Sequence, residues 1–253
     1  MDLGLAGQNC VIAGASRGIG LAIARGLAAE GANLAICARQ DEALQDAAAE
    51  LRQRGGTVYA ARCDIGDHAA LEAFLDAARQ ALGGVQVFVH NASALAVGPD
   101  AAAWEASLQV DLLAAVRACD RVVPWMREAG GGSVLFVSSI SAFEASPMRD
   151  YAYTAVKAAL NAYAKKLALT EAAHGIRANV LAPGSIEFAD GIWARVRQHQ
   201  PDLYAAVRAT IPWGRMGRAE EVADAAVYLL SRRASWITGV TLAVDGGQHK
   251  GIR

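Results

Sequence analysis

Seven short apolar runs, at residues 10–13, 33–38, 58–62, 85–90, 133–138, 177–182 and 241–244, are separated by alanine-rich stretches of helical composition. Strands and helices in this rhythm build βαβ units, in which each strand returns parallel to the one before. The runs are almost continuously apolar, whereas a sheet with one wet face would alternate, so helices must cover both faces. The fold class that follows is α/β: one doubly wound, mostly parallel seven-stranded sheet with helices on both faces. The sequence carries no internal repeat, proline- or serine-rich linker or charge block, and Gly130-Gly131-Gly132 falls between a helix and a strand. Residues 1–253 therefore read as a single domain. Only 185–212 breaks the rhythm. It is longer than an ordinary strand-to-helix connection and carries Phe188, Trp193 and Tyr204 among several arginines, the character of a lid over a substrate.

A chain that is 54% hydrophobic and 19% charged can bury a large core. Its net charge of −1 gives no global reason to bind nucleic acid or an anionic membrane, which leaves small-molecule chemistry as the expectation. No apolar stretch approaches the ~20 residues needed to cross a bilayer. Met1-Asp2 leads to an apolar run only at 10–13, without the pattern of a secretory signal, so a cytoplasmic location is expected. Cys10, Cys37, Cys63 and Cys119 lie far apart in sequence, without metal-ligand or redox-pair spacing, and read as buried reduced thiols; no metal site is expected.

The first strand runs directly into Gly14-Ala15-Ser16-Arg17-Gly18-Ile19-Gly20, and a helix over 21–29 follows at once. Glycine permits the tight turn and close backbone approach, while the helix N-terminus offers free N–H groups and partial positive charge to a pyrophosphate. Three glycines before a helix also occur in ordinary βα turns, and the preceding strand is what points to a dinucleotide. The second strand ends Cys37-Ala38-Arg39, without the acid that takes the ribose hydroxyls of NAD. Arg17 and Arg39 suit a 2′-phosphate, because a guanidinium fork matches phosphate geometry. NADP(H) is therefore expected over NAD(H). The alternative leaves both arginines as solvated charges, with Asp41 or Glu42 reaching the ribose of NAD.

Of the six tyrosines, only Tyr153 has a lysine four residues later, and a helix puts Tyr153 and Lys157 on one face. A tyrosine hydroxyl titrates near ~10 in water and exchanges protons poorly at neutral pH; an adjacent ammonium stabilises its phenolate. The same spacing also arises as an amphipathic pair at a helix edge. What favours chemistry is Ser138-Ser139 closing the fifth strand, at the carboxyl edge where open α/β sheets bind ligands. Tyr151, with Ala155 four residues on, is left to pocket lining or packing.

These motifs resemble the short-chain dehydrogenase/reductase family, and the overall pattern is most similar to its 3-oxoacyl-(acyl carrier protein) reductase branch. The resemblance rests on Gly-x-x-x-Gly-x-Gly at 14–20, His90-Asn91-Ala92-Ser93, the strand-end serines and Tyr153-Thr154-Ala155-Val156-Lys157. It extends through Pro183-Gly184-Ser185-Ile186, Gly214 to Ala223, and Val244-Asp245-Gly246-Gly247, nearly the whole chain. It implies a Rossmann domain that moves hydride between nicotinamide and a carbonyl or carbinol carbon. Tyr153 would exchange the oxygen's proton, Ser139 would hydrogen-bond the carbonyl and Lys157 would hold the nicotinamide ribose. It further implies a cofactor held by Gly14, Ser16, Arg17, Gly18, Ile19, Gly20, Arg39, Asp64, Ile65, Asn91, Ala92, Tyr153, Lys157, Pro183, Gly184 and Ile186. Asp64 would meet the adenine amino group; its other reading is a helix cap or turn. A homotetramer, built through the fourth and fifth helices and the C-terminal segment, is implied as well.

Three positions depart from the family pattern. Asp111, in Gln109-Val110-Asp111-Leu112, stands where an asparagine usually holds a water beside the lysine. Its carboxylate would offset the ammonium of Lys157, and activity is then expected to shift toward alkaline pH. Ser93 replaces a glycine, which raises the question of positive φ. Phe188 replaces a threonine that binds the cofactor, and is read as a wall of the substrate pocket with Ile192 and Trp193, with core packing as the rival. Arg195, Arg197, His199 and Arg208 either steer an anionic substrate or form a solvated helix face. The expected substrate is a small-molecule carbonyl compound, such as a 3-oxoacyl thioester or another hydrophobic ketone. The rival functions are an NAD-dependent alcohol dehydrogenase and a nucleotide-binding protein with little turnover.

Overall fold

The computed structural model describes residues 2–96, 98–145 and 148–252. Val97, Ser146 and Pro147, in the loops at 95–100 and 142–151 that the sequence assigns to the substrate pocket, lie outside the described residues. The strands are β1 (Asn9–Ala13), β2 (Asn33–Ala38), β3 (Val58–Arg62), β4 (Val87–His90), β5 (Gly132–Val137), β6 (Ile176–Pro183), β7 (Ile186–Glu187), β8 (Gly217–Arg218) and β9 (Thr241–Val244). The helices are α1 (Gly18–Ala29), α2 (Asp41–Arg52), α3 (His68–Leu82), α4 (Ala101–Ser107), α5 (Ala114–Glu128), α6 (Tyr151–Glu171), α7 (Ile192–His199), α8 (Pro201–Thr210) and α9 (Ala219–Leu230). Seven strands form one sheet in the order β3-β2-β1-β4-β5-β6-β9, and every neighbouring pair is parallel. The order reverses between β1 and β4, which opens a crevice at the carboxyl edge where a ligand can sit.

Continuous apolar runs are explained by two cores, one on each side of the sheet. Leu34 and Ile36 of β2 pack with α1, α2 and α9, whereas Ala35 and Cys37 of the same strand pack with α3, α5 and α6. Successive side chains point to opposite faces, so a strand covered twice is apolar at most of its positions. The fold also brings together two cysteines that are far apart in sequence: the buried Cys37 and Cys63 thiols hydrogen-bond each other at the ends of β2 and β3. No helix among the described residues is long and apolar enough to cross a membrane.

Helix α1 begins at Gly18, three residues before the start read from the sequence, so Gly18, Ile19 and Gly20 lie in its first turn. Backbone bonds lock the turn that precedes it. Gly14 N and Ala15 N both donate to Cys37 O, at 3.0 and 3.1 Å, and Asn91 N and Ala92 N both donate to Ala13 O. Asn91 Nδ2 completes the lock by donating to Gly14 O at 2.6 Å. A methyl group at Gly20 would run into that carbonyl oxygen and come within 2.5 Å of Asn91 Nδ2, so only glycine fits.

Asn91→Ala leaves the Gly14 carbonyl without its side-chain donor, at a cost of about 1–3 kcal/mol. Thermal unfolding is expected to fall by roughly 3–8 °C, with weaker nucleotide binding; an unchanged midpoint would show that the lock contributes nothing.

Candidate active site

Between α4 and α5 the chain makes a π-helical turn, Leu108–Leu113. Such a turn carries one more residue than an α turn and often marks a functional position. Asp111 lies within it and is fully buried against α6. There its Oδ1 sits 3.0 Å from Lys157 Nζ, and its Oδ2 accepts from Ala94 N at 2.9 Å. Lys157 is only 1% exposed, and its ammonium also donates to Val137 O at 3.0 Å. The sequence suggests a water between Asp111 and the lysine, but the structure pairs the charges directly. A buried carboxylate or ammonium is costly alone, and each makes the other tenable.

Lys157 Nζ also lies 5.6 Å from the centre of the Tyr153 ring, one turn earlier on α6. Tyr153 is half-buried beside it, whereas the competing Tyr151 is 54% exposed. Ser138 donates to Lys157 O at 3.3 Å and so serves the backbone. Ser139 is set at the end of β5 by a short 3-10 turn: its Oγ accepts from Ser141 N at 3.1 Å and donates to Ser141 Oγ at 3.2 Å. Strand end, π turn and α6 thus place a hydroxyl, a carboxylate and a phenol–ammonium pair along one carboxyl edge.

His90, the last residue of β4, belongs to the same cluster and was missed in the sequence, although it directly precedes Asn91 in a motif already singled out. It is 1% exposed, and its Nε2 has no hydrogen-bond partner among the described residues. Burial, and then the charge of Lys157, push its imidazole down to about 4, partly opposed by Asp111. The neutral ring keeps the charge of the buried cluster balanced between Lys157 and Asp111.

On the other side of the β1–β4 reversal lies the nucleotide cradle. Gly14 (φ +85°) and Gly18 (φ +57°) adopt left-handed backbone, and no side chain among the described residues caps the first turn of α1, which leaves its N–H groups for a ligand. Ser16 and Ile19 are half-buried and Arg17 is exposed. The cradle fits a pyrophosphate. Beyond it, Arg39, Arg62, Cys63, Asp64 and Ala70 line a cavity of about 330 Å³. Asp64 does not cap α3, which is the work of Asp67; its Oδ1 accepts from Gly66 N in a turn, and Ile65 beside it is buried. Asp41 Oδ1 accepts from Gln45 Nε2 within α2. Arg62 is a second residue that the sequence reading passed over, hidden as the last position of a strand.

Pro183, Gly184 and Ile186 close the carboxyl end of β6, where the C-terminal segment folds over them. Gln248 Oε1 accepts from Ser185 N at 2.8 Å, and His249 Nδ1 lies 2.6 Å from Asp245 Oδ2 with its ring edge-on to Phe143. Two expectations change here. The ring of Phe188 lies on the glycine turn, where a methyl at Gly18 would meet its Cζ at 2.5 Å, and it packs against the core beside α1. Ser93 needs no positive φ; the left-handed residue is Leu95 (φ +48°), whose N donates to Ser93 Oγ.

A parallel sheet of this order, a glycine-turn cradle and a Ser–Tyr–Lys edge define a nucleotide-dependent oxidoreductase. Residues 14–249 match a family model described as enoyl-(acyl carrier protein) reductase. The chain is 34% identical to 3β-hydroxysteroid dehydrogenase 1 of Eggerthella lenta, over 96% of this chain and 94% of that protein. It is similar to the crystal structure of L-sorbose reductase from Gluconobacter frateurii complexed with NADPH and L-sorbose, with a TM-score of 0.90, 32% identity and all of both chains covered. It is also similar to a 7α-hydroxysteroid dehydrogenase complexed with NADH and 7-oxo glycochenodeoxycholic acid (TM-score 0.89, 29% identity, covering 100% of this chain and 98% of that one). The chain belongs to the short-chain dehydrogenase/reductase family, whose members oxidise hydroxyl groups or reduce carbonyls.

An imidazole titrates near ~6.5 when unfolded and here near 4, so between these values the unfolded chain binds a proton that the folded one refuses. Stability is therefore complete above pH ~6.5 and declines as pH falls toward the folded value, by about 2 kcal/mol at pH ~5. His90→Asn is expected to remove that part of the acid sensitivity in urea unfolding at pH ~7.5 and ~5; an unaltered difference between the two pH values would contradict it.

Proposed function

We propose that this protein is an NADP(H)-dependent reductase of ketones or aldehydes in which Tyr153 gives the proton to the nascent alkoxide. The observation that carries the reading is the ammonium of Lys157 held against the Tyr153 ring at the carboxyl edge of the sheet. That charge favours the phenolate left after proton transfer. Ser139, fixed at the end of β5, donates to the substrate oxygen and orients the carbonyl. Asp111 sets the position of Lys157 and offsets part of its charge. Bound nicotinamide supplies the hydride. The residues that would hold the cofactor are Gly14, Ser16, Arg17, Gly18, Ile19, Gly20, Arg39, Asp64, Ile65, Asn91, Ala92, Pro183, Gly184 and Ile186, with Tyr153 and Lys157 at the nicotinamide ribose.

Preference for NADP(H) is supported by Arg17 and Arg39, neither of which enters an ion pair among the described residues, and by Asp41 being tied to its own helix. The substrate class in this reading is a hydrophobic ketone or a 3-oxoacyl thioester. Within 185–212, α7 and α8 serve as the lid, latched by Glu187, which accepts from Tyr204 OH at 2.5 Å and pairs with Arg197 at 2.6 Å. The working form is a cytoplasmic homotetramer. The direct Lys157–Asp111 pair favours one second reading, a nucleotide-binding protein with little turnover.

NADPH oxidation with a carbonyl panel that includes a 3-oxoacyl thioester is expected to exceed NADH oxidation, and Tyr153→Phe to lose about 10³-fold in kcat. NADPH binding without turnover of any carbonyl would favour the second reading. In Asp111→Asn the phenolate forms more readily, so oxidation of an alcohol in the reverse direction is expected to begin at lower pH than in wild type, and a superimposable pH–kcat profile would remove Asp111 from the proton chemistry.

A further inference from the structure

Arg62 closes β3, paired in register with Ala38 of β2, and so stands beside Arg39 at the open end of the sheet. Its Nε donates to Arg39 O at 3.1 Å, which fixes the guanidinium plane against the turn that leaves β2. Its terminal nitrogens make no hydrogen bond among the described residues, and neither Arg62 nor Arg39 appears in any of the eleven ion pairs there. Both line the cavity of about 330 Å³ shared with Cys63, Asp64 and Ala70. The one carboxylate on that wall, Asp64, has an oxygen engaged with Gly66 N. Two unneutralised guanidinia lining one cavity repel each other, and a dianion bound there relieves that repulsion while satisfying their free N–H groups.

We propose that Arg62 is a specificity-determining residue that contacts the 2′-phosphate of NADP(H) directly, opposite Arg39. The inference rests on the NADP(H) reading above and adds a residue to it. Arg39 lies at the end of β2 and Arg62 at the end of β3, so the two guanidinia reach the phosphate from neighbouring strands. NAD(H) carries only a hydroxyl at that place and gains nothing from Arg62.

Calorimetric titration of the purified protein with adenosine 2′,5′-bisphosphate and with adenosine 5′-monophosphate tests the assignment without turnover. Wild type is expected to bind the bisphosphate more tightly. Arg62→Gln is expected to weaken the bisphosphate about tenfold, the usual scale for an exposed charge-assisted contact, and to leave the monophosphate unchanged, with Arg62→Lys recovering part of the loss. The same loss from Arg62→Gln in an Arg39→Gln background identifies a direct contact. Its disappearance there shows that Arg62 acts only by holding Arg39, and overturns the proposal. If wild type prefers the bisphosphate and Arg62→Gln keeps the full preference, the role of Arg62 is rejected while the NADP(H) reading stands. If wild type binds both nucleotides equally, the NADP(H) reading falls and Arg62 with it.

Discussion

The ion pair between Lys157 and Asp111 governs the chemistry available to this fold. Both groups are out of water and 3.0 Å apart; Lys157 also donates to the Val137 carbonyl, and Asp111 also accepts from Ala94 N. Removing either partner strands a buried charge, which is far more costly than losing a surface pair. The elements that meet there are therefore held together: the end of β5, the loop after β4, the π turn and α6. His90 fits under the same constraint, since a charged imidazole would add a second cation to a closed cluster.

The sheet delivers these groups because it is parallel and covered on both sides. All strand ends that carry polar chemistry emerge on one edge: Gly14 after β1, Arg39 after β2, Asp64 after β3, Asn91 after β4, Ser139 after β5 and Gly184 after β6. The reversal of strand order between β1 and β4 parts the loops and makes room for a long ligand. The glycine-turn cradle and the Ser139–Tyr153–Lys157 edge are thus two halves of one crevice, and the bonds from Asn91 and Ala92 to the β1 turn hold the halves in register.

Much of this was legible in the sequence because it depends on local chemistry. Uninterrupted apolar runs located all seven sheet strands to within two residues, and glycine spacing located the cradle. Tyr153 and Lys157 were recognisable because a helix fixes their separation. What escaped depends on contacts between distant segments. The start of α1 came earlier than read, because the glycines that form the turn also form the first turn of the helix. Asp111 was legible as a neighbour of Lys157, but its direct pairing with the ammonium comes with a π turn, which leaves no mark in the residue pattern of 108–113. For Phe188 the residue pattern leaves a substrate wall and core packing equally open, and the structure lays the ring on Gly18 against the core beside α1. Arg62 ends a strand whose other residues are half-buried, and only pairing with β2 sets it beside Arg39.

The most direct test follows the hydrogens of the reaction. Reduction of a ketone with NADPH deuterated at the transferred C4 position, read by mass spectrometry of the alcohol, is predicted to place one deuterium on the carbinol carbon with wild type. Tyr153→Phe, which still binds the cofactor, is predicted to form almost no labelled alcohol. Labelled product formed equally well by wild type and Tyr153→Phe would contradict the assignment of the proton donor, and the absence of labelled product from a wild type that binds NADPH would contradict the reductase itself.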